Sequence, residues 1–234
     1  MVCTGHSLLW SKAGNNPSWT WDIFGSEFEE VIYNRIDETM NHFNELGVIH
    51  WDVINEMVDQ HPGPNNHTFY QDQSGNKNIR AEIYNYVKQN YPNNQFYVND
   101  YGVIMNAQNR FHLFQELLRD LISSGAHIDG IGLQSHIAGN ITLPSEKNDK
   151  YLTLTSGQQS IDWNLVKRRV EMLWEEFQLP IWITEFDWNH EGDIDWGDHS
   201  KHAEILEDFY RLMFSLEVNY NVTIFSLGII FLAS

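Results

Sequence analysis

Short apolar runs alternate with longer amphipathic stretches along almost the whole chain. Each apolar run has the length of a strand, and each amphipathic stretch has the length of a helix. The pattern predicts strands at residues 7–10, 49–54, 95–99, 130–134, 181–184 and 222–225. It predicts helices at about residues 26–46, 78–90, 107–123, 161–177 and 200–217.

The predicted helix at 26–46 shows the helical pattern most clearly. Its apolar residues recur mainly at intervals of three and four, which places them on one helix face. They are Phe28, Val31, Ile32, Ile36, Met40 and Phe43. Ser26 precedes Glu29 by three residues, a spacing typical of a capping box, so we expect the helix to start at Ser26.

Strands that alternate with helices predict right-handed βαβ units and a parallel sheet. A doubly wound sheet and a (β/α)8 barrel share this alternation. Almost every predicted strand ends in polar side chains, among them Asn55, Glu56, Asn99, Asp100, Gln134, His136, Glu185 and Asp187. A barrel gathers such residues at the C-terminal ends of its strands, and no Gly-rich phosphate loop follows any strand here. The sequence therefore favours an α/β fold of the (β/α)8 TIM-barrel class.

Two of these strand-ending residues are glutamates that follow apolar runs. Glu56 ends the string WDVINE, and Glu185 follows the string IWIT. Paired carboxylates carry out glycoside hydrolysis, in which one handles the proton of the leaving group and the other attacks or stabilises the sugar cation. Taken singly, each glutamate is better explained as the cap of a strand or the start of a helix.

The composition restricts the class of partner. The chain has 234 residues, enough for one sizeable core, and no linker marks a second domain. Its 14 Lys+Arg against 32 Asp+Glu give a formal net charge of −18, which repels nucleic acid and anionic membranes. We therefore expect neither partner. A neutral polysaccharide suits this charge, and 9 Trp, 10 Tyr and 13 Phe offer aromatic faces for sugar rings.

The sequence predicts no cofactor and no metal site. Cys3 is the only cysteine, so neither an internal disulfide nor a cysteine zinc cluster is possible. Residues 1–6 lack the basic start and the apolar stretch of a signal peptide. Residues 222–234 are apolar but too short and too interrupted to span a bilayer.

Five strings along the chain resemble the endo-1,4-β-xylanases of glycoside hydrolase family 10. They are GHSLLW at 5–10, WDVINE at 51–56, VNDY at 98–101, IDGIGLQSH at 128–136 and ITEFD at 183–187. Each string alone is a weak signal, but the five occur in the family's order and at compatible spacings. The resemblance implies xylan or a related β-1,4-linked polysaccharide as substrate, no obligate protein partner, and a location outside the cell.

The resemblance also implies a role for each matching residue. Glu56 is expected to be the general acid/base and Glu185 the nucleophile of a retaining mechanism. His136 and Asp187 are expected to orient the nucleophile, and Glu185 and Asp187 share one strand face because they are two residues apart. The substrate-binding residues that it implies are His6, Trp10, Asn55, Asn99 and Gln134.

The chain departs from the family pattern at both ends. The family has two more strands before the GHS string, and the first of them carries a lysine and an asparagine that bind sugar. At residues 224–228 the family usually presents a strand with tryptophan, which is absent here. We therefore expect an incomplete barrel of about six of eight βα units, starting at the third strand, with residues 1–234 forming part of a single catalytic domain.

Two other functions remain open on the sequence. A truncated relative could bind carbohydrate without hydrolysing it, since half of the sugar-binding residues at the reacting subsite are missing. A metal-dependent barrel hydrolase would need a His-x-His pair at the end of a strand, and the chain has none there.

Overall fold

The structure is a computed structural model that describes residues 3–60, 69–105, 109–138, 161–189, 199–216 and 222–224. The chain divides into two compact units. One comprises Met1–Asp100 and Leu113–Gly132, and the other comprises Tyr101–His112 and Leu133–Ser234.

The first unit is built from parallel strands alternating with helices. Its strands are β1 (Thr4–Trp10), β2 (His50–Asn55), β3 (Gln95–Tyr101) and the first residues of β4 (Gly130–Ala138). Its helices are α1 (Gly25–Glu45), α2 (Phe69–Ser74), α3 (Ile79–Asn90) and most of α4 (Arg110–Ser123). The strands are hydrogen-bonded in the order β1-β2-β3-β4.

The register of these strands brings their C-terminal ends together. Trp10 at the end of β1 pairs with Asn55 at the end of β2, after an irregularity between His6 and Leu9. Asp52 in β2 pairs with Tyr97 in β3. Parallel strands therefore deliver the residues after their apolar runs to a common edge.

The core of the first unit lies between these strands and their helices. Strand residues such as Val53, Ile54 and Val98 are fully buried because both faces of a parallel sheet are covered. Ile36 of α1 and Ile83 of α3 are also fully buried. The strand residues that carry the polar groups thus stand on a rigid, close-packed support.

The second unit continues the same alternation. It contains the rest of β4, then α5 (Trp163–Phe177), β5 (Ile181–Asn189), α6 (His199–Ser215) and β6 (Val222–Ile224), with the strand order β4-β5-β6. Asp162 caps α5 by accepting hydrogen bonds from two backbone N–H groups of the first turn. Phe186 of β5 packs on Phe209 of α6, with ring centroids 4.5 Å apart.

All six predicted strands and all five predicted helices are present, and the helix ends agree within three residues. Of the predicted elements, residues 107–108, 217 and 225 lie outside the described residues. The strands β3, β4 and β5 continue beyond their predicted ends, so Asp100, His136, Glu185 and Asp187 lie within strands. The short helix α2 was not predicted. Its string FYQDQS has no apolar periodicity, although Gln71 and Gln73 are buried by tertiary contacts.

The predicted capping box of α1 is wrong. The helix begins at Gly25, and the extended residue Phe24 occupies the N-cap position without a side-chain hydrogen bond. Ser26 is therefore already inside the first turn, where its hydroxyl is not in the N-cap position that a capping box requires.

Candidate active site

The first cluster of predicted site residues surrounds Glu56, which directly follows β2. Its side chain is only 11% exposed. Trp10 donates its indole N–H to Oε2 of Glu56 at 3.1 Å, and Nζ of Lys12 lies 2.8 Å from the same oxygen. No described residue forms a hydrogen bond or an ion pair with Oε1. The carboxylate is therefore anchored through one oxygen only.

The backbone of Glu56 is held in a left-handed conformation, with φ of 58°. This region costs a residue with a side chain roughly 1–2 kcal/mol. Two hydrogen bonds hold it there: its N–H donates to the carbonyl oxygen of Asn99 at 3.1 Å, and its carbonyl oxygen accepts from the hydroxyl of Ser11. The ends of β1 and β3 thus fix the direction in which the carboxylate leaves the backbone.

A buried polar network joins the other predicted residues of the first unit. Nδ1 of His6 lies 2.8 Å from Oδ2 of Asp52, so Nδ1 carries the proton in this contact because an ionised carboxylate only accepts. Asn99 donates to Asp52 and to Oδ1 of Asn55, each at 3.2 Å. The ring of His6 meets Trp10 edge-to-face at 5.6 Å. His6, Trp10, Asn55 and Asn99 are therefore neighbours.

Two glycines make room for this network. A Cβ atom on Gly5 would lie 2.0 Å from the ring of Trp51, and one on Gly132 would lie 2.6 Å from Oδ1 of Asn99. Both positions lie in strands, where neighbouring side chains leave no space for a methyl group. Gly5 of the GHS string and Gly132 of the IGLQSH string therefore let the side chains of Trp51 and Asn99 pack directly against the strand backbones.

Asp100 supports the segment that follows Glu56. Asp100 is fully buried and its carboxylate accepts the backbone N–H of Val58 at 2.8 Å. It therefore holds the 3-10 turn Met57–Gln60 against β3.

The second cluster of predicted residues lies in the second unit and is centred on His136 of β4. Its Nδ1 lies 2.7 Å from Oδ2 of Asp187, and its Nε2 lies 3.1 Å from Oε2 of Glu185. Both carboxylates come from β5, two residues apart, and therefore leave the strand on the same side. The structure thus joins Glu185, His136 and Asp187 in one chain of contacts, with His136 in the middle.

The two carboxylates change the charge of His136. Hydrogen bonds to Asp187 and then to Glu185 raise its pKa from 6.5 to about 10, although burial opposes the shift. At neutral pH the imidazole is therefore a cation that donates one N–H to each carboxylate. The cationic imidazole therefore lies in direct contact with the Glu185 carboxylate.

Gln134 lies two residues before His136 on β4 and is 3% exposed. The alternation of a strand places it on the same side of β4 as His136.

Ser11, Lys12 and Asp52 are site neighbours that the sequence analysis missed. Asp52 interrupts an otherwise apolar strand, and a buried charge in such a strand is a recognisable signal. The sequence gives less indication that Ser11 and Lys12 lie near the site, because they are more than forty positions away from Glu56, which they contact.

In the described part of the chain, no group of three or more His, Cys, Asp and Glu side chains is arranged to hold a metal ion. Within those same residues, no helix has both the length and the apolar character needed to cross a membrane.

Comparisons with known proteins agree with the resemblance in the sequence. Residues 1–225 match the family model described as Glycosyl hydrolase family 10. The chain is 25% identical to Endo-1,4-beta-xylanase A of Thermoanaerobacterium saccharolyticum over 98% of this chain and 19% of that protein. It is 26% identical to Anti-sigma-I factor RsgI6 of Acetivibrio thermocellus over 90% of this chain and 23% of that protein.

Among solved structures, the chain is similar to TsXylA, an intracellular xylanase from T. saccharolyticum. The TM-score is 0.74 at 21% identity, over 96% of this chain and 65% of that one. Variants of TsXylA have been solved with xylotriose and with xylotetraose. The similar structures are (β/α)8 barrels, which confirms the predicted fold class, and the described strands alternate with helices as in such a barrel.

The matches differ in length and in cellular compartment. The chain spans about a fifth to a quarter of the curated relatives that it matches, 19% of the xylanase and 23% of the anti-sigma factor.

TsXylA is an intracellular enzyme. Similarity to these proteins therefore does not by itself assign a compartment to this chain.

Proposed function

Because the chain belongs to glycosyl hydrolase family 10, we propose that it carries the catalytic residues of a retaining endo-1,4-β-xylanase. The enzyme hydrolyses internal β-1,4-xylosidic bonds in xylan through a covalent glycosyl-enzyme intermediate. Residues 1–234 are part of one catalytic domain in this proposal, and the substrate is met outside the cell. The observation that carries the proposal is the contact between Glu185 and the cationic His136, whose other ring nitrogen contacts Asp187.

In the first step Glu185 is the nucleophile. One of its oxygens attacks the anomeric carbon, and the bond from that carbon to the leaving-group oxygen breaks, so that its electron pair moves to the oxygen. His136 acts as a positioning residue that holds the Glu185 carboxylate through the contact of its Nε2 with Oε2 of Glu185. Asp187 in turn binds Nδ1 of His136 at 2.7 Å and fixes the plane of the imidazole.

Glu56 is the general acid and then the general base. It gives its proton to the leaving-group oxygen in the first step. In the second step it takes a proton from water, and the resulting nucleophile attacks the anomeric carbon and releases Glu185. The anchoring of Oε2 by Trp10 supports this role, because Oε1 is the oxygen left to exchange the proton.

The mechanism requires that the carboxyl groups of Glu56 and Glu185 lie about 5–5.5 Å apart in the working enzyme. That separation lets Glu185 reach the anomeric carbon while Glu56 reaches the leaving oxygen of the same bond. Both glutamates follow apolar strand residues, and in this barrel class the strands direct their C-terminal ends to one face.

The remaining predicted residues bind the sugar. Asn55 hydrogen-bonds the 2-hydroxyl of the reacting sugar, and His6 and Trp10 form a polar wall and an aromatic floor. Asn99 and Gln134 complete the set. The contact between Asn99 and Asn55 supports this assignment, because it fixes the amide of Asn55 through its oxygen.

A second function is supported by the relative named an anti-sigma factor. That relative is similar over 90% of this chain, and its name describes a regulator rather than an enzyme. As the second candidate function, we propose that the chain binds a β-1,4-linked polysaccharide without hydrolysing it.

The experiment that separates the two functions is hydrolysis of xylan by the purified protein and by three variants. Reducing ends are counted, and the anomeric form of the first product is followed by proton NMR. We expect β-anomeric products. The rate of hydrolysis should fall by about 1,000-fold or more in Glu185→Gln and also fall strongly in Glu56→Gln. Glu175→Gln, which changes an exposed glutamate of α5, is the matched control and retains activity. Saturable xylan binding without release of reducing ends would favour the second function.

A further inference from the structure

We propose that Trp19 and Trp21, in the segment that follows β1, form a second sugar-binding surface next to Glu56. We call these two residues the tryptophan platform. It binds sugar units of the same β-1,4-linked chain that lie beyond the bond to be cleaved. The inference rests on the proposed function for the class of sugar, while the place of the platform follows from contacts within the first unit.

The first observation is the exposure of the two tryptophans. Trp19 is 57% exposed and Trp21 is 46% exposed, and both belong to the 3-10 helix Ser18–Asp22. Phe24, which follows this helix, is 60% exposed. Single exposed apolar residues are ordinary, but three large aromatic residues exposed within one short segment indicate a binding surface.

The second observation is that a buried glutamine fixes the backbone of the platform. Gln73 of α2 is only 8% exposed. Its side-chain amide donates to the carbonyl oxygens of Thr20 and Trp21, each at 3.0 Å, and to that of Ile23 at 3.2 Å. The exposed tryptophans are therefore presented by a backbone that is already ordered, so binding a ligand there costs less conformational entropy.

The third observation is that the ring of Trp21 is itself held in place. Its indole N–H donates to the carbonyl oxygen of Ala13 at 3.1 Å, while nearly half of the residue stays exposed. Because its polar group already has a partner, the ring offers a ligand its apolar face rather than a hydrogen bond. Such a face suits the C–H surface of a sugar ring.

The platform is continuous with the candidate site around Glu56. Trp21 contacts Ala13, and Ala13 directly follows Lys12, whose Nζ lies 2.8 Å from Oε2 of Glu56. The platform segment follows the C-terminal end of β1, and Glu56 follows the C-terminal end of the neighbouring strand β2. A linear sugar chain that is bound at Glu56 can therefore continue onto the platform.

The charge of the protein favours a neutral sugar over other occupants. The chain carries a formal net charge of −18, and the exposed Asp22 directly follows Trp21. An acidic partner is repelled by this charge, and so is a second copy of the same chain. A neutral polysaccharide meets no such repulsion.

The test follows binding of β-1,4-xylohexaose through the indole N–H signals in ¹⁵N–¹H NMR spectra. The full chain carries Glu185→Gln, so that the sugar stays intact. The signals of the two platform residues, among the nine tryptophans of the chain, are assigned with Trp19→Phe and Trp21→Phe. We expect both signals to shift with xylohexaose and to stay in place with α-1,4-linked maltohexaose.

The dissociation constant for xylohexaose gives the second readout. Trp19→Ala and Trp21→Ala should each raise it roughly tenfold, whereas Trp19→Phe should stay within about threefold because it keeps an aromatic face. Leu46→Ala is the control. It removes a side chain that is 67% exposed at the opposite end of the strands, and it should change the constant by less than about twofold.

Unshifted signals of Trp19 and Trp21, or unchanged affinity in both alanine variants, would overturn the inference. The NMR shifts decide the question even if an alanine variant fails to fold. Sedimentation without sugar tests the other occupant: self-association that Trp19→Ala abolishes would make the platform a contact between copies, which also overturns the inference.

The outcomes separate this inference from the proposed function, because sugar binding needs no turnover. Binding that depends on Trp19 and Trp21, in a protein whose wild-type form does not hydrolyse xylan, would refute the proposed function and support the platform. Hydrolysis of xylan by the wild-type protein, with unchanged binding in both alanine variants, would refute only the platform.

Discussion

Nε2 of His136 lies 3.1 Å from Oε2 of Glu185, and the opposite nitrogen of the same imidazole lies 2.7 Å from Asp187. Two strands therefore converge on one cation, with the imidazole supplied by β4 and both carboxylates by β5. The arrangement explains why the histidine and the two acids occur in separate short strings of the sequence. It also gives the second unit a pH dependence that can be measured without substrate.

The raised pKa of His136 predicts a loss of stability at alkaline pH. The pKa is about 10 in the folded protein and 6.5 without its partners. A pKa that folding raises adds stability that is complete below about pH 6.5 and is lost as the pH rises to about 10. Over this pH window we expect the free energy of unfolding of the wild-type protein to fall by roughly 1–2 kcal/mol relative to that of His136→Gln. This is less than the full pKa shift implies, because a third of the His136 side chain is exposed and water screens its charge.

Urea unfolding of both proteins at pH 6, 8 and 10 measures this difference. Other titrating groups contribute equally to both proteins and cancel in the comparison. Parallel pH profiles for wild type and His136→Gln would contradict the assignment of a charged imidazole.

The backbone of Glu56 predicts an unusual order of stability between two variants. Glu56→Ala and Glu56→Gly both remove the contacts with Lys12 and Trp10, so those losses cancel. At a φ of 58° glycine avoids the steric cost that alanine retains. We expect Glu56→Gly to be more stable than Glu56→Ala by about 1 kcal/mol in urea unfolding. The opposite order, which is usual inside regular structure, would show that the backbone relaxes once the side chain is gone.

The close approach of Gly5 to Trp51 predicts a site where a single methyl group is not tolerated. A Cβ on Gly5 would lie 2.0 Å from the ring of Trp51, a residue that is 3% exposed. We expect Gly5→Ala to lower the free energy of unfolding by about 1–3 kcal/mol or more. Gly14→Ala is the matched control, because nothing lies within 4 Å of a Cβ there, and it should change stability by less than about 0.5 kcal/mol. Equal stability of the two variants would refute the tight packing at Gly5.

The element pattern could be predicted from the sequence because apolar runs and helical periodicity report directly on burial. The ends of the strands could not, because polar residues such as His136 and Glu185 continue the strand after its apolar run stops. Helix α2 was missed for a related reason. Its glutamines are buried by bonds to distant backbone, as when Gln73 donates to the carbonyl oxygens of Thr20 and Trp21.

The part of the candidate site that could be predicted is the part whose residues lie close together in the sequence. Glu185 and Asp187 share a strand side because they are two residues apart, and both reach His136. The partners of Glu56 were harder to foresee. Lys12 follows the apolar run that predicts β1, and only the pairing of Trp10 with Asn55 brings it next to β2. Contacts set by strand register rather than by local spacing are the ones that the sequence did not indicate.

Covalent trapping of the nucleophile is the most direct test of the mechanism. The protein is incubated with a 2-deoxy-2-fluoro-β-xylobioside that carries a good leaving group, and its peptides are examined by mass spectrometry. We expect one fluoroxylobiosyl group per molecule, attached to Glu185, and no label in Glu185→Gln. Hydrolysis of xylan by a protein that is labelled elsewhere, or not at all, would contradict it.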